Sequence, residues 1–280
     1  MQTFNPDQLK KLKRRVETPD NGQVTIIGGS DLFHGAPILS LKVASRIVDM
    51  VYFSSPEPST GKVAENLKSQ LSSFIWVPWE EIGDYIKKSD SVLIGPGMKR
   101  WHKEKEKDKY QDKKVEVFDQ SGTQTKFATE KFLKQFPNKQ WVIDGGALQV
   151  MDPKLIPEGA IITPNTKEFE LLFGKKSPSE VAKEHKCTVV FKTPKTVVCS
   201  TDECAEIQGG NNGLTKGGTG DVLAGLTVAL SAKNNPFLAA AAGAWIVKKA
   251  ADDLLERVGT VYNADDLAFE VPKVLGKYLR

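Results

Sequence analysis

The segment from Asn211 to Gly225 reads Asn-Asn-Gly-Leu-Thr-Lys-Gly-Gly-Thr-Gly-Asp-Val-Leu-Ala-Gly and concentrates more chemistry than any other part of the sequence. Gly217, Gly218 and Gly220 lack a Cβ, so the backbone can adopt unusual dihedrals and a ligand can approach the peptide groups closely. An apolar helical pattern starts where they end. Its first turn would present unpaired N–H groups and the positive end of the helix dipole, an arrangement suited to phosphate oxygens. Each such contact contributes only about 0.3–1 kcal/mol at an exposed surface, so several must converge. Asp221 stands out in that setting, because a carboxylate among those amides would repel phosphate. Facing a substrate hydroxyl, it would instead take the proton as the oxygen attacks phosphorus. The plain alternative is a helix cap, since Asp is favoured in a first turn. The glycines before it and the small residues after it favour catalysis.

This pattern is not G-x-x-x-x-G-K-[ST], and no G-x-G-x-x-G follows a strand, so neither a Walker-type loop nor a dinucleotide-binding βαβ unit is indicated. Other glycine-rich turns close apolar runs: Gly28-Gly29-Ser30, with Gly35-Ala36-Pro37 shortly after, and Gly95-Pro96-Gly97. Each reads either as a tight turn or as a ligand-facing loop. Asp144 ends an apolar run, where open α/β sheets place ligands, and is expected to position substrate or metal or to cap a helix. Lys216 reads equally as a phosphate contact and as an exposed lysine. Trp76, Trp79, Trp141 and Trp245 read as packing residues rather than a base-stacking platform. Trp101 would suit covering an adenine, but its charged surroundings point to a mobile loop.

The elements that position these residues follow from short β-branched runs: Val24–Ile27, Asp49–Phe53, Phe74–Val77, Ser91–Ile94, Trp141–Ile143, Ala160–Thr163 and Thr188–Phe191. Nearly continuous apolar strands ending at Gly, Pro or polar turns indicate a parallel sheet buried on both faces. Segments such as Ile38–Val48 and Thr129–Gln135 supply crossover helices. Thr196–Ser200 and Cys204–Gln208, joined by Thr201-Asp202-Glu203, read as an antiparallel edge hairpin. Asp221–Ala232 is expected to be a helix with one apolar stripe of Val222, Leu223, Leu226 and Leu230. Asn235 before Pro236 suits an N-cap for an Ala-rich helix over Phe237–Leu255. That helix would serve the core or an interface in a homo-oligomer.

Composition narrows the function classes. With 280 residues, 40% of them hydrophobic, the chain supports a sizeable core, and it is read as a single domain over 1–280. A formal net charge of +4 suits an anionic small ligand and is too weak to indicate nucleic acid. No apolar run reaches the ~18–20 residues needed to cross a bilayer, and Met1–Arg15 lacks the apolar stretch of a secretion signal, so no membrane partner is expected. Cys187, Cys199 and Cys204 are read as reduced thiols of a cytoplasmic protein, with a Cys199–Cys204 disulfide across the hairpin as the alternative. His34, His102 and His185 show no metal-ligand spacing. Lys99–Lys114 holds eight Lys or Arg and four Asp or Glu, and is expected to be a mobile charged insertion or a flap attracting phosphate.

On five ordered segments the sequence resembles the ADP/ATP-dependent NAD(P)H-hydrate dehydratase family, carbohydrate-kinase-like members of the ribokinase-like superfamily. They are Gly28-Gly29-Ser30 through Pro37, Gly95-Pro96-Gly97, Asp144–Leu148, Thr163-Pro164-Asn165 with Glu168, and Asn211–Asp221. The similarity runs from about Lys13 to the C-terminus. It implies a ribokinase-like three-layer α/β/α fold with a doubly wound, mostly parallel sheet and an antiparallel edge hairpin. It also implies dehydration of hydrated NADH or NADPH driven by ADP or ATP. The ring hydroxyl is phosphorylated, and the phosphate then leaves with help from the ring nitrogen's lone pair.

By the same resemblance Asp221 is the general base, and Ala36, Gly97, Asn165 and Asp221 line the hydrated-cofactor pocket. Lys192, Thr193, Pro194, Lys195 and Thr196 hold the nucleotide together with Gly217, Gly218, Thr219 and Gly220. Mg2+ neutralises phosphate charge, with Glu168 as its candidate holder, directly or through water. The chain departs from the family at three places. Gly146 stands where a carboxylate is usual, Asn165 where His is common, and Thr193 where a Lys-Gly pair has its Gly. Two other functions stay open: a hydroxyethylthiazole-kinase-like small-molecule kinase that releases its phosphoester, and a nucleotide-binding protein without catalysis.

Overall fold

The computed structural model describes residues 1–12, 20–101 and 120–279. Its strands are β1 (Gln2–Thr3), β2 (Gln23–Ile27), β3 (Met50–Ser54), β4 (Ile75–Trp76), β5 (Ser91–Ile94), β6 (Gln140–Ile143), β7 (Ile161–Ile162), β8 (Thr188–Phe191), β9 (Thr196–Cys199) and β10 (Cys204–Ile207). They form one sheet in the order β1-β10-β9-β8-β7-β6-β5-β2-β3-β4. From β8 to β4 every pairing is parallel, whereas β9 runs antiparallel to both β8 and β10. The order turns back between β5 and β2, which is where an open α/β sheet leaves its ligand crevice.

The helices among the described residues are α1 (Gly35–Ala44), α2 (Pro58–Leu67), α3 (Ile82–Lys88), α4 (Gln120–Gln135), α5 (Gly145–Val150), α6 (Thr166–Phe173), α7 (Pro178–His185), α8 (Thr219–Ser231), α9 (Pro236–Val258) and α10 (Ala264–Tyr278). They cover both faces of the sheet. Strand residues alternate between two cores, as the period-2 geometry of a strand requires. Val24, Ile26, Leu93 and Val142 join one core with Leu41, Leu226, Ala240 and Val271 from the helices. Ile27, Val92, Ile94, Trp141 and Ile143 join the other, with Ile82, Phe132, Leu148 and Phe169.

Two expectations change and one open alternative narrows. Residues Val222–Ser231 of α8 are buried on every side rather than along one stripe, because α1, α9 and the sheet enclose the helix. Cys199 and Cys204 pair directly across the β9–β10 ladder and are bonded as a disulfide, so the reading of three reduced thiols does not hold; Cys187 alone is free. Their facing register brings the sulfurs together, which spacing alone left open. The alanines of α9, from Ala239 to Ala244, are buried within this chain, so core packing accounts for them. Sequence reading also missed β1, which adds in parallel to β10. A strand of two residues carries no periodicity to detect. Helix α1 begins three residues earlier than expected, so Ala36 lies in its first turn.

Helix α8 is aimed by a close crossing. A Cβ at Gly225 would lie 2.5 Å from the Ser40 backbone of α1, and the Ser40 hydroxyl donates to the Asp221 carbonyl at 2.7 Å. Gly225→Val is therefore expected to overpack the crossing and cost about 1–3 kcal/mol. At about 2–4 °C per kcal/mol the loss is readable in a thermal melt, and an unchanged Tm would contradict the crossing.

Candidate active site

Because β2, β5, β6, β7 and β8 are parallel, their last residues deliver Gly28, Gly95, Asp144, Thr163 and Lys192 to the same edge of the sheet. The loop after β2 and the turn after β5 interlock there. The Gly29 amide donates to the Pro96 carbonyl at 2.8 Å, and a Cβ at Gly28 would fall 2.3 Å from that oxygen. Gly97, at φ +70°, lies against Phe33 and Pro37, and its missing Cβ would reach within 3.2 Å of Ala36. Ala36 and Gly97, expected to share the hydrated-cofactor pocket, are thus brought together.

Asp144 sits at the centre of the edge and is only 2% exposed. Its Oδ1 accepts from Lys192 Nζ and from Thr163 Oγ1, both at 2.7 Å. It caps no helix with its side chain; it anchors a lysine. Glu168 is committed as well. Its two oxygens accept from Gln149 Nε2 at 2.9 Å and from the Asn165 amide at 2.8 Å, while the Asn165 side chain accepts from the Glu168 amide. This capping box starts α6. Among the described residues no group of three or more His, Cys, Asp or Glu is placed to hold a metal ion.

Asp221 occupies the first turn of α8, close enough to feel these groups. Burial, above all, raises its pKa from the ordinary carboxylate value to about 7, with the Asp144 and Glu168 carboxylates adding repulsion and Lys192 opposing it. Burial also pushes Glu168 up. For Lys192 burial works against the charge, yet the attraction of Asp144, Glu168 and Asp221 wins, and its pKa stands above the usual lysine value. One lysine therefore serves three acids, and Asp221 is held near its midpoint at neutral pH.

The Gly-rich turn completes the corner. Gly218 adopts φ +94°, and a Cβ there would strike Leu39 at 2.5 Å. Thr219 Oγ1 ties the turn down by donating to the Leu214 and Lys216 carbonyls. The amides of Gly217, Gly218 and Gly220 make no hydrogen bond among the described residues. They are the unpaired donors an anion site needs. Lys216 turns away from them, donating to the Thr260 and Tyr262 carbonyls at 2.6 and 2.5 Å.

Beside this corner opens a cavity of about 450 Å³. Of the residues expected to bind nucleotide, Lys192, Thr193, Pro194, Thr196, Thr219 and Gly220 line it; Lys195, Gly217 and Gly218 do not. Asn165, expected in the other pocket, lines this one. The remaining wall is formed by Gly209–Asn212, Leu214–Lys216, Leu223, Ala244, Val247 and Lys248; of these, sequence reading had singled out only Lys216 as a ligand contact. Lys248 left a signal: it continues the buried i, i+4 series of Ala240 and Ala244 with a charge. Trp76, Trp141 and Trp245 pack in or against the core. Trp101 lies against Gly122 rather than in the cavity. Of the charged segment, residues 102–114 lie outside the described residues, while Lys99 and Arg100 pair with Asp31 and Gln149.

Residues 24–273 match the family model for NAD(P)H-hydrate dehydratase. The chain belongs to that family. It is 35% identical over 284 aligned residues to the bifunctional NAD(P)H-hydrate repair enzyme Nnr of Methanocaldococcus jannaschii, covering 95% of this chain and 51% of that protein. It thus spans about half the length of that relative. With the ADP-dependent (S)-NAD(P)H-hydrate dehydratase of Nitrosopumilus maritimus it shares 29% identity, over 97% of this chain and 93% of the relative. The fold is ribokinase-like. An ADP/ATP-dependent NAD(P)H-hydrate dehydratase from Bacillus subtilis, co-crystallized with ATP/Mg2+, superposes with a TM-score of 0.75 at 21% identity, covering 99% of this chain and 98% of that one.

The departure at Gly146 has a steric cause in this member of the dehydratase family. A Cβ at Gly146 would lie 2.1 Å from the Met98 carbonyl oxygen, so the turn after β5 occupies the space a side chain would need. Restoring the acid with Gly146→Asp is expected to lower Tm and activity together, by forcing the Gly95–Met98 turn off Asp144. A variant as stable and active as the parent would refute that packing.

Asp221 also yields a pH prediction. Acting as the base expected from the sequence, it would work ionised, so kcat/KM is expected to rise about tenfold per pH unit below about pH 7 and to level off above. The linkage sign follows from the raised folded-state pKa. The folded chain holds this proton more tightly than the unfolded chain, so Asp221 stabilises less as pH climbs from the carboxylate range through about 7. Asp221→Asn is thus expected to raise Tm more at about pH 8 than at about pH 5. Equal shifts at both pH values would show that Asp221 is not held protonated by burial.

Proposed function

We propose that the chain dehydrates hydrated NADH or NADPH at the expense of ADP or ATP, restoring the reduced cofactor. The observation that carries this reading is the placement of Asp221: a carboxylate with a pKa of about 7 directly after three unpaired amides and beside a nucleotide-sized cavity. The nucleotide lies in that cavity between Lys192–Thr196 and the wall formed by Leu223, Val247 and Lys248. Its terminal phosphate rests on the Gly217, Gly218 and Gly220 amides. The hydrated ring enters from the Ala36–Gly97 side, with its hydroxyl toward Asp221.

Asp221 takes the hydroxyl proton while the oxygen attacks the terminal phosphorus, and the bond to the bridging oxygen breaks to release AMP or ADP. The glycine amides and Lys192 face the charge that develops on the transferring phosphoryl oxygens. The ring nitrogen's lone pair then expels phosphate with the carbon–oxygen bond, and the iminium so formed loses a proton from the adjacent ring carbon, which restores the double bond of the reduced cofactor. Phosphate leaves far more readily than hydroxide, which is why a nucleotide is consumed. Asp144 acts through Lys192, holding the ammonium at the strand ends where both ligands meet.

The residues fit a magnesium ion that arrives on the nucleotide rather than one held in a protein cage, since magnesium is usually bound through one or two carboxylates plus substrate phosphates. Glu168, with both oxygens already accepting hydrogen bonds, would reach it through water. The ion would supply charge neutralisation on the phosphates. A cytoplasmic setting belongs to the same proposal on the ground of the substrate, because hydrated cofactor forms where reduced cofactor is kept. Among the described residues no helix is long and apolar enough to cross a membrane.

Incubating the protein with hydrated NADH and magnesium, with ADP, ATP or neither, tests the reading through the absorbance of the restored dihydronicotinamide. Recovery is expected only with a nucleotide, with one phosphate released per cofactor restored. Asp221→Asn is expected to slow it by at least about a hundredfold, the typical contribution of a positioned base. Nucleotide-independent recovery, or an Asn variant as fast as the parent, would overturn the assignment.

A further inference from the structure

Lys248 is a charge placed where a helix is otherwise apolar. It lies in the middle of α9 and is only 5% exposed. Its Nζ donates to two main-chain carbonyls, Pro194 at 2.8 Å and Ile207 at 2.7 Å. Those oxygens belong to different segments that border the nucleotide cavity. Pro194 sits in the turn between β8 and β9, with Thr193 and Thr196 as its cavity-lining neighbours; Ile207 ends β10, two residues before the cavity-lining run Gly209–Asn212. Lys248 itself lines the cavity between them.

Other contacts show that α9 grips the same wall. One turn further on, Asp252 Oδ2 accepts from the Gly210 amide at 2.9 Å. The Lys248 stem packs closely on Gly210, where a Cβ would meet its Cγ at 3.0 Å. Gly209 and Gly210 both adopt positive φ, so the loop bends over the stem as only glycine readily permits. Burying an ammonium is costly, and two neutral carbonyls compensate for that only in part. A fold needing no more than packing at this position would be served by the Ala or Val that lines the rest of the helix face.

We propose that Lys248 is a positioning residue for the nucleotide: its ammonium ties the β8–β9 turn to the end of β10 and so holds the two walls at the separation a nucleotide needs. The inference rests on the reading of this cavity as the nucleotide site. Lys248 touches neither Asp221 nor the Ala36–Gly97 turn, so its effect falls on one substrate and not on the other.

Calorimetric titration of ADP and ATP into the parent and Lys248→Met, with steady-state kinetics on the same proteins, tests the proposal. Methionine keeps an unbranched apolar stem and loses both tethers. The nucleotide Kd and KM are expected to rise about tenfold, while the KM for hydrated NADH and kcat at saturating nucleotide stay within about threefold. An unchanged nucleotide Kd, or an equal rise in both KM values, would overturn the proposal. Should Lys248→Met not fold, Lys248→Gln, which keeps a donor on a shorter stem, is expected to shift the same constants in the same direction, and its silence would be equally damaging. Failure of the parent to bind either nucleotide would instead overturn the cavity assignment on which the inference rests.

Discussion

The buried pair of Lys192 and Asp144 is the interaction on which the site depends. Two charges taken from water at the ends of β6 and β8 are costly, and a pair of this kind repays that cost only when its remaining hydrogen bonds are satisfied. Here Thr163 donates to the same carboxylate oxygen, and the parallel strands hold all three residues at one sheet edge. With Lys192 beside Asp144, a second acid can be kept buried nearby at a pKa of about 7, neither expelled to solvent nor locked as a salt bridge. Without the lysine, Asp144, Glu168 and Asp221 would form an uncompensated acidic cluster.

Glycine sets the distances around that pair. At Gly28, Gly95, Gly97 and Gly146 a side chain would collide with main-chain oxygen atoms of a neighbouring loop, so the turns after β2 and β5 and the start of α5 pack backbone against backbone. Interiors packed this closely transmit small shifts. The departure at Gly146 follows from this: its backbone position, touching Met98, excludes the acid usual in the family. The activity proposed here relies on Asp221, Asp144 and Lys192, none of which that departure alters.

The cavity is assembled differently from the acid cluster. Its walls come from segments far apart in the chain: the β8–β9 turn, the loop after β10 and the buried face of α9. Main-chain carbonyls and amides of these segments are held by side chains that come from elsewhere. Lys248 serves Pro194 and Ile207, Asp252 serves Gly210, and Asn211 links the Ala251 carbonyl to the Tyr262 hydroxyl. Such a cavity is a property of the network rather than of any one motif.

Much of the framework was legible from residue order alone. The strand runs Ser91–Ile94 and Thr188–Phe191 match the observed bounds, because a strand buried on both faces is an unbroken apolar run between turn residues. The Gly-rich turn and Asp221 were equally legible, since a helix start and the donors it exposes are local matters of a few residues. What stayed hidden was everything decided by non-local pairing: the Cys199–Cys204 register, the all-round burial of α8, the clash that keeps position 146 glycine, and the task of Lys248. Chain order determined which groups exist and roughly where each element begins. Which groups face one another, and therefore which acid titrates near neutral pH and which lysine is spent on backbone, was decided by the packing of segments distant in sequence, because burial and charge proximity exist only after the sheet has brought them together.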